Sequence, residues 1–117
     1  MLTPLEFTMP VASAQVKSSI LLAGLHARGT TRVHEPVPSR NHTEIALAEF
    51  GASIRTSPQT IEIEGGHSLY GKKFWVPGDL SSAAFFIAAV LAVPNSHLRL
   101  TAVGLNPTRA GFIRLLE

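Results

Sequence analysis

The chain has 117 residues, 45% of them apolar and 15% charged, with no cysteine and a formal charge of +2. An average domain is about 25% charged, so this chain has ample material for a core and excludes disorder. The missing cysteines exclude disulfides, thiolate nucleophiles and cysteine-based zinc sites, and the small positive excess is too weak to argue for nucleic acid.

Leu5 to Met9 alternates apolar and polar residues before Pro10, which predicts a short strand ending at a turn. From Ser13 the period becomes helical. Val16, Ile20, Ala23 and Ala27 recur on one face, widened by Leu21, Leu22 and Leu25, and the helix is expected to run to Gly29 with Ser13 as its N-cap. Thr30 to Glu35 alternates again with β-branched residues and is stopped by Pro36-Val37-Pro38. Asn41 followed three residues later by Glu44 resembles a capping box, opening an amphipathic helix through Ile45, Leu47, Ala48 and Phe50 to Gly51. Residues 52–56 and 60–64 both alternate at period two across Ser57-Pro58-Gln59, the pattern of a hairpin. The order strand, helix, strand, helix, strand, strand predicts an α/β unit with helices layered on a sheet.

A polar, glycine-rich loop follows from Gly65 to Lys73. Past Pro77-Gly78-Asp79 the run Ser81 to Val93 is strongly apolar and predicts a second long helix, then His97 to Ala102 alternates as a strand. Asn106-Pro107 has the order of a helix start, with about three turns of ~3.6 residues each remaining before Glu117. A weak internal repeat links the two halves at an offset of about seventy residues: Ser13, Thr31-Arg32-Val33 and Pro38-Ser39-Arg40 are echoed by Ser81, Leu98-Arg99-Leu100 and Pro107-Thr108-Arg109.

Three polar clusters fall at helix starts, where free N–H groups and the positive end of the dipole favour an anion. They are Ser13-Ala14-Gln15 with Lys17, Ser39-Arg40-Asn41-His42, and Pro77-Gly78-Asp79 with Ser81-Ser82. The guanidinium of Arg40 suits bidentate contact with phosphate or carboxylate. The plainer alternative stands beside this: Ser13, Asn41 and Asp79 serve only as caps, and Lys17 and Arg40 are solvated charges. Five histidines stand in no metal-binding spacing, no run reaches the ~20 apolar residues of a membrane span, and no Walker loop, GxGxxG turn or GxSxG elbow is present. A cytoplasmic, anion-binding α/β domain without metal is the expectation from spacing alone.

Four motifs, in order over nearly the whole chain, resemble the 5-enolpyruvylshikimate-3-phosphate synthases, or 3-phosphoshikimate 1-carboxyvinyltransferases. They are residues 10–18 with 21–25, Glu35-Pro36, Ser39-Arg40-Asn41-His42-Thr43-Glu44, and the stretch from Val76 to Phe86; Asn106-Pro107-Thr108-Arg109 with Gly111 adds a fifth point of likeness. The stretch Ser13 to Ser18 favours this family over the related UDP-N-acetylglucosamine carboxyvinyltransferases.

The resemblance implies a protein of two domains built from βαβαββ units in an inside-out barrel fold. Residues 1–77 would be the unit closing one domain, and residues 78–117 the hinge and the incomplete first part of the next. It implies transfer of the enolpyruvyl group of phosphoenolpyruvate to the 5-hydroxyl of shikimate 3-phosphate, with release of phosphate through a tetrahedral intermediate and no metal or organic cofactor. Carried over by motif, Ser13, Ala14, Gln15, Ser39 and Arg40 would hold shikimate 3-phosphate, Gln15 would also lie near phosphoenolpyruvate, and Asp79 would sit at the hinge and cleft. Asn41 departs from the family's usual Asp and puts any ion pair made there in doubt. No catalytic residue is assigned within the segment, because the family's phosphoenolpyruvate-binding and proton-moving groups have no counterpart in it. The resemblance therefore implies an internal piece of the enzyme, inactive alone. The alternative is a stand-alone anion-binding α/β module that self-associates through exposed apolar helix faces, with no nucleic acid or membrane as partner.

Overall fold

The computed structural model describes residues 2–116. It divides into two compact units, Met1–Lys72 and Lys73–Glu117.

In the first unit, β1 (Glu6–Thr8), α1 (Ala14–Gly24), β2 (Thr30–His34), α2 (His42–Glu49), β3 (Ser53–Thr56) and β4 (Thr60–Glu64) follow one another in the predicted βαβαββ order. The four strands form one sheet in the order β1-β2-β4-β3. β1 and β2 are parallel, with Phe7 opposite Val33, and α1 makes the crossover that parallel neighbours require. β4 pairs antiparallel with both β2 and β3, placing Arg32 opposite Glu62 and Ile54 opposite Ile63. Alternation then sends Val33, Ile61 and Ile63 inward, where they form a core with Met9, Leu21 and Leu47. On the solvent face Arg32 meets Glu62 at 2.6 Å, and this hydrogen bond holds the Glu62 carboxyl below its ordinary range and raises Arg32.

The helix α1 departs from expectation in two ways. It ends at Gly24 rather than Gly29: the Leu25 carbonyl is taken by the N–H of Gly66 at 2.9 Å, while His26 and Ala27 close with short bonds to Ala23 and Gly24. Gly29 instead serves the turn into β2, at a φ of 123° that disfavours a side chain. The stripe facing the core is also different. Lys17, Leu21 and Gly24 are the buried positions, at the helical spacing i, i+4, i+7, whereas Val16 and Leu22 are exposed.

In the second unit α3 (Leu80–Ala92) begins where the pattern placed it, and α4 covers Gly111–Leu116. Asn106 Oδ1 accepts from the N–H of Thr108 at 2.9 Å, so it organises a turn and the helix starts later than predicted. Residues 97–102 form no strand; among the described residues the pairing there is an isolated bridge between Gly78 and Val103. Alternation supplies the side-chain pattern of a strand, but a strand also needs a neighbour along its length to take its N–H and C=O groups.

Candidate functional site

The start of α1 is built by Ser13, whose extended backbone leaves its Oγ free to accept from the N–H of Val16 at 3.3 Å. The cap leaves the N–H groups of Ala14 and Gln15 outside it, and the first turn carries no acidic side chain. Here the dipole and open donors keep their pull on an anion.

Beside this helix start lies an open hollow of about 460 Å³, lined by Ala14, Gln15, Ser18, Ser19, Leu22, Arg40, His42 and Thr43. The structure thus brings together four residues named in the sequence clusters: Ala14, Gln15, Arg40 and His42. Arg40 is exposed and has no ion-pair partner among the described residues. Its guanidinium therefore remains available to an outside anion.

Ser13 and Ser39, each one residue before a lining residue, are not in the lining themselves, and Asp79 lies in the second unit. Ser13 serves the cap. Ser39 is half-buried and donates its hydroxyl proton to Glu35 Oε1 at 2.5 Å, so it borders the hollow's wall rather than its lining. Asp79 belongs to the second unit, where it caps α3 by accepting from the N–H groups of Ser81 and Ser82 at 3.2 and 3.0 Å. These bonds, with a third from the Ser82 hydroxyl, depress the Asp79 carboxyl below its ordinary range. A carboxylate already fills that helix start, so the third cluster offers an incoming anion no such opening. Arg109 is likewise engaged, donating to Ser81 Oγ and standing 4.0 Å from Asp79 Oδ1.

Two expectations about charge are corrected. Lys17 is neither a solvated charge nor a cation offered to the hollow: it is 1% exposed, with Nζ 2.8 Å from Glu35 Oε2 and 2.6 Å from Glu44 Oε1. Glu44 therefore does not complete a capping box, and Asn41 makes no side-chain cap bond to α2. A buried ammonium 2.6 Å away holds the carboxylate far more strongly than an exposed N–H at a helix start would.

Ser18 and Thr43, whose hydroxyls lie 2.6 Å apart and join α1 to α2, fall inside the family motifs but have no role assigned from the sequence. The signal for Ser18 was present: Gln15, Ser18 and Leu22 fall on one face at i, i+3 and i+7. Among the described residues no group of three or more His, Asp or Glu side chains is arranged to hold a metal, and no helix is long and apolar enough to cross a membrane.

A parallel β1-α1-β2 crossover closed by an antiparallel hairpin, with open donors at the start of its first helix and Arg40 lining the same hollow, defines an α/β unit. Comparison with known proteins makes the assignment specific. The EPSP synthase (3-phosphoshikimate 1-carboxyvinyltransferase) family model matches residues 1–117, and the chain belongs to that family. It is 56% identical over 113 residues to the 3-phosphoshikimate 1-carboxyvinyltransferase of Shouchella clausii and 54% identical over 116 residues to that of Bacillus licheniformis. These alignments cover 97% and 99% of the chain but 26% and 27% of the relatives. A solved EPSP synthase from Acinetobacter baumannii superimposes with a TM-score of 0.89 at 48% identity, over 98% of this chain and 26% of that one. The chain thus spans about a quarter of the length of the curated relatives it matches.

Proposed function

We propose that the first unit supplies part of the shikimate 3-phosphate site of an enzyme that transfers the enolpyruvyl group of phosphoenolpyruvate to the 5-hydroxyl of that substrate, in a cytoplasmic biosynthetic setting. The observation that carries this reading is the free guanidinium of Arg40 in the same hollow as Ala14 and Gln15, beside an α1 start whose first N–H groups are uncapped. A phosphate monoester placed there meets a planar cation, open backbone donors and the hydroxyls of Ser18, Ser19 and Thr43. Gln15, with an amide that both donates and accepts, is suited to the boundary between two substrates. Ser13 acts by fixing the helix start and Ser39 by shaping the segment that carries Arg40. Asp79 is assigned to the hinge between domains, with residues 1–77 and 78–117 as the two sides of it.

The chain contributes binding and orientation, and no group in it is assigned to proton transfer. The 117-residue chain should therefore bind shikimate 3-phosphate weakly and turn over nothing when phosphoenolpyruvate is added. Amide shifts recorded during titration with shikimate 3-phosphate test this: changes should centre on residues 13–19 and 39–43. Changes centred elsewhere, no change at millimolar ligand, or turnover by this chain alone would each overturn the reading.

A second reading, self-association without catalysis, has one observation in its favour. On α3, Phe85, Phe86 and Leu91 are 80%, 60% and 64% exposed, an apolar surface of the kind soluble proteins cover.

A further inference from the structure

The hollow's two walls come from distant parts of the first unit: α1 gives Gln15 and Ser18, while the segment from Glu35 to Glu44 gives Arg40, His42 and Thr43. That segment leaves β2, passes Pro36 and Pro38, and has no strand or helix of its own until His42. Something must set its distance from α1. The structure places a single buried ammonium at the junction. Lys17 Nζ bonds Glu35 at the segment's start and Glu44 at its end, at 2.8 and 2.6 Å, and all three residues are at most 5% exposed. The remaining oxygen of Glu35 accepts from Ser39, the residue before Arg40. The remaining oxygen of Glu44 is buried with no partner.

This arrangement is costly as a source of stability. Burying one cation with two carboxylates leaves the cluster short of positive charge and one oxygen unsatisfied, and apolar side chains of similar volume often serve a core as well or better. Buried ionic groups can instead fix one geometry among several that the apolar contacts would allow. The geometry available to be fixed here is the placement of Arg40 and Thr43 against Gln15 and Ser18.

We infer that Lys17 is a positioning residue: through Glu35 and Glu44 it clamps both ends of the segment 35–44 onto α1 and so holds the Arg40 wall of the hollow against the Gln15 wall. Lys17 touches no ligand in this arrangement. Its role in shikimate 3-phosphate binding rests on the reading of the hollow given above, but the clamp itself does not.

The test compares the wild-type chain with Lys17→Met and with the triple variant Lys17→Met/Glu35→Gln/Glu44→Met. The triple variant leaves no unpaired charge inside and keeps an acceptor for Ser39, so it retains the fold even where the single variant does not. Backbone order parameters are measured without ligand. In the wild type, residues 39–43 should sit at the rigid value of about 0.85, and in the triple variant they should fall below about 0.6 while Thr31, Val33, Ile61 and Ile63 stay rigid. Unchanged order in 39–43, or an equal loss across the sheet, overturns the clamp. Titration with shikimate 3-phosphate is the second arm. A wild type that binds and a triple variant that binds at least about tenfold more weakly support the link to the site, which is 1.4 kcal/mol of lost affinity. Equal affinity overturns that link. A wild type that does not respond refutes the reading of the hollow, and the order parameters still decide the clamp.

Discussion

Gly24 and Ile63 are so close that a methyl group added at Gly24 would stand 2.9 Å from Ile63 Cγ2 and 3.0 Å from Thr31 Cβ. The last turn of α1 thus rests directly on β2 and β4, and the fully buried Ile63 has little room to yield. Gly24→Ala should be destabilising: an overpacking cost of about 1–3 kcal/mol outweighs the gain of up to about 1 kcal/mol in helix propensity. Gly71→Ala is the control, because no atom lies within 4 Å of the added carbon and its backbone is not in the left-handed region. The unfolding free energy from urea titration should drop for the first and stay within about 0.5 kcal/mol of wild type for the second. Equal values would mean that α1 lifts from the sheet without cost.

Where a pattern is carried by neighbours in the chain, the sequence was a good guide. Ser13 at the start of α1, Asp79 at the start of α3 and the alternation across residues 52–64 are local signals, and each element formed there. The errors fall where the outcome depends on a distant partner. Residues 97–102 alternate as well as β3 and β4 do, but β3 and β4 have a neighbour along their length and residues 97–102 do not. Lys17 carries a residue type that belongs outside, and nothing within a few residues of it reveals Glu35 and Glu44. Its position with Leu21 and Gly24 on one helical face is the available clue, against the apolar stripe expected through Val16. The hollow shows the same division: the charge of Arg40 was legible, while its meeting with Ala14 and Gln15 needed the fold.

The Asp79 cap makes α3 sensitive to acid in a defined direction. Its carboxyl is depressed first by the N–H of Ser81, then by the hydroxyl and N–H of Ser82. The unfolded chain therefore takes up a proton at higher pH than the folded chain does. The cap's contribution is fully present above the ordinary aspartate range and is lost as pH falls through the depressed value. The amide signals of Ser81 and Ser82 should titrate together, with a midpoint below that of an unstructured aspartate. Asp79→Asn should abolish that titration while α3 remains capped by the amide oxygen. A midpoint at or above the ordinary value would refute the cap's hold on the charged form.

The exposed apolar side chains of α3 separate the two readings of the chain. If Phe85, Phe86 and Leu91 drive self-association, the sedimentation coefficient should rise over roughly a tenfold increase in concentration, since association follows mass action. Phe85→Ser with Phe86→Ser should remove that dependence without moving the amide signals of the first unit. A monomer at every concentration would exclude the self-associating module. Ligand-induced shifts at the hollow in that monomer would leave the substrate-binding reading standing.

Arg40 gives the most direct test of the hollow. It is exposed and has no ion-pair partner among the described residues, so Arg40→Ala should leave the unfolding free energy within about 0.5 kcal/mol of wild type. Its loss should remove a charge-assisted contact of about 1.5–3 kcal/mol and so weaken shikimate 3-phosphate roughly 10- to 150-fold. Arg40→Lys should recover part of this, because an ammonium keeps the charge and loses the fork that meets two phosphate oxygens at once. Shikimate, which lacks the phosphate, should bind wild type and Arg40→Ala equally poorly. Calorimetric titration of both ligands into the three proteins makes the comparison. A phosphate dependence that survives Arg40→Ala would place the anion elsewhere on the chain.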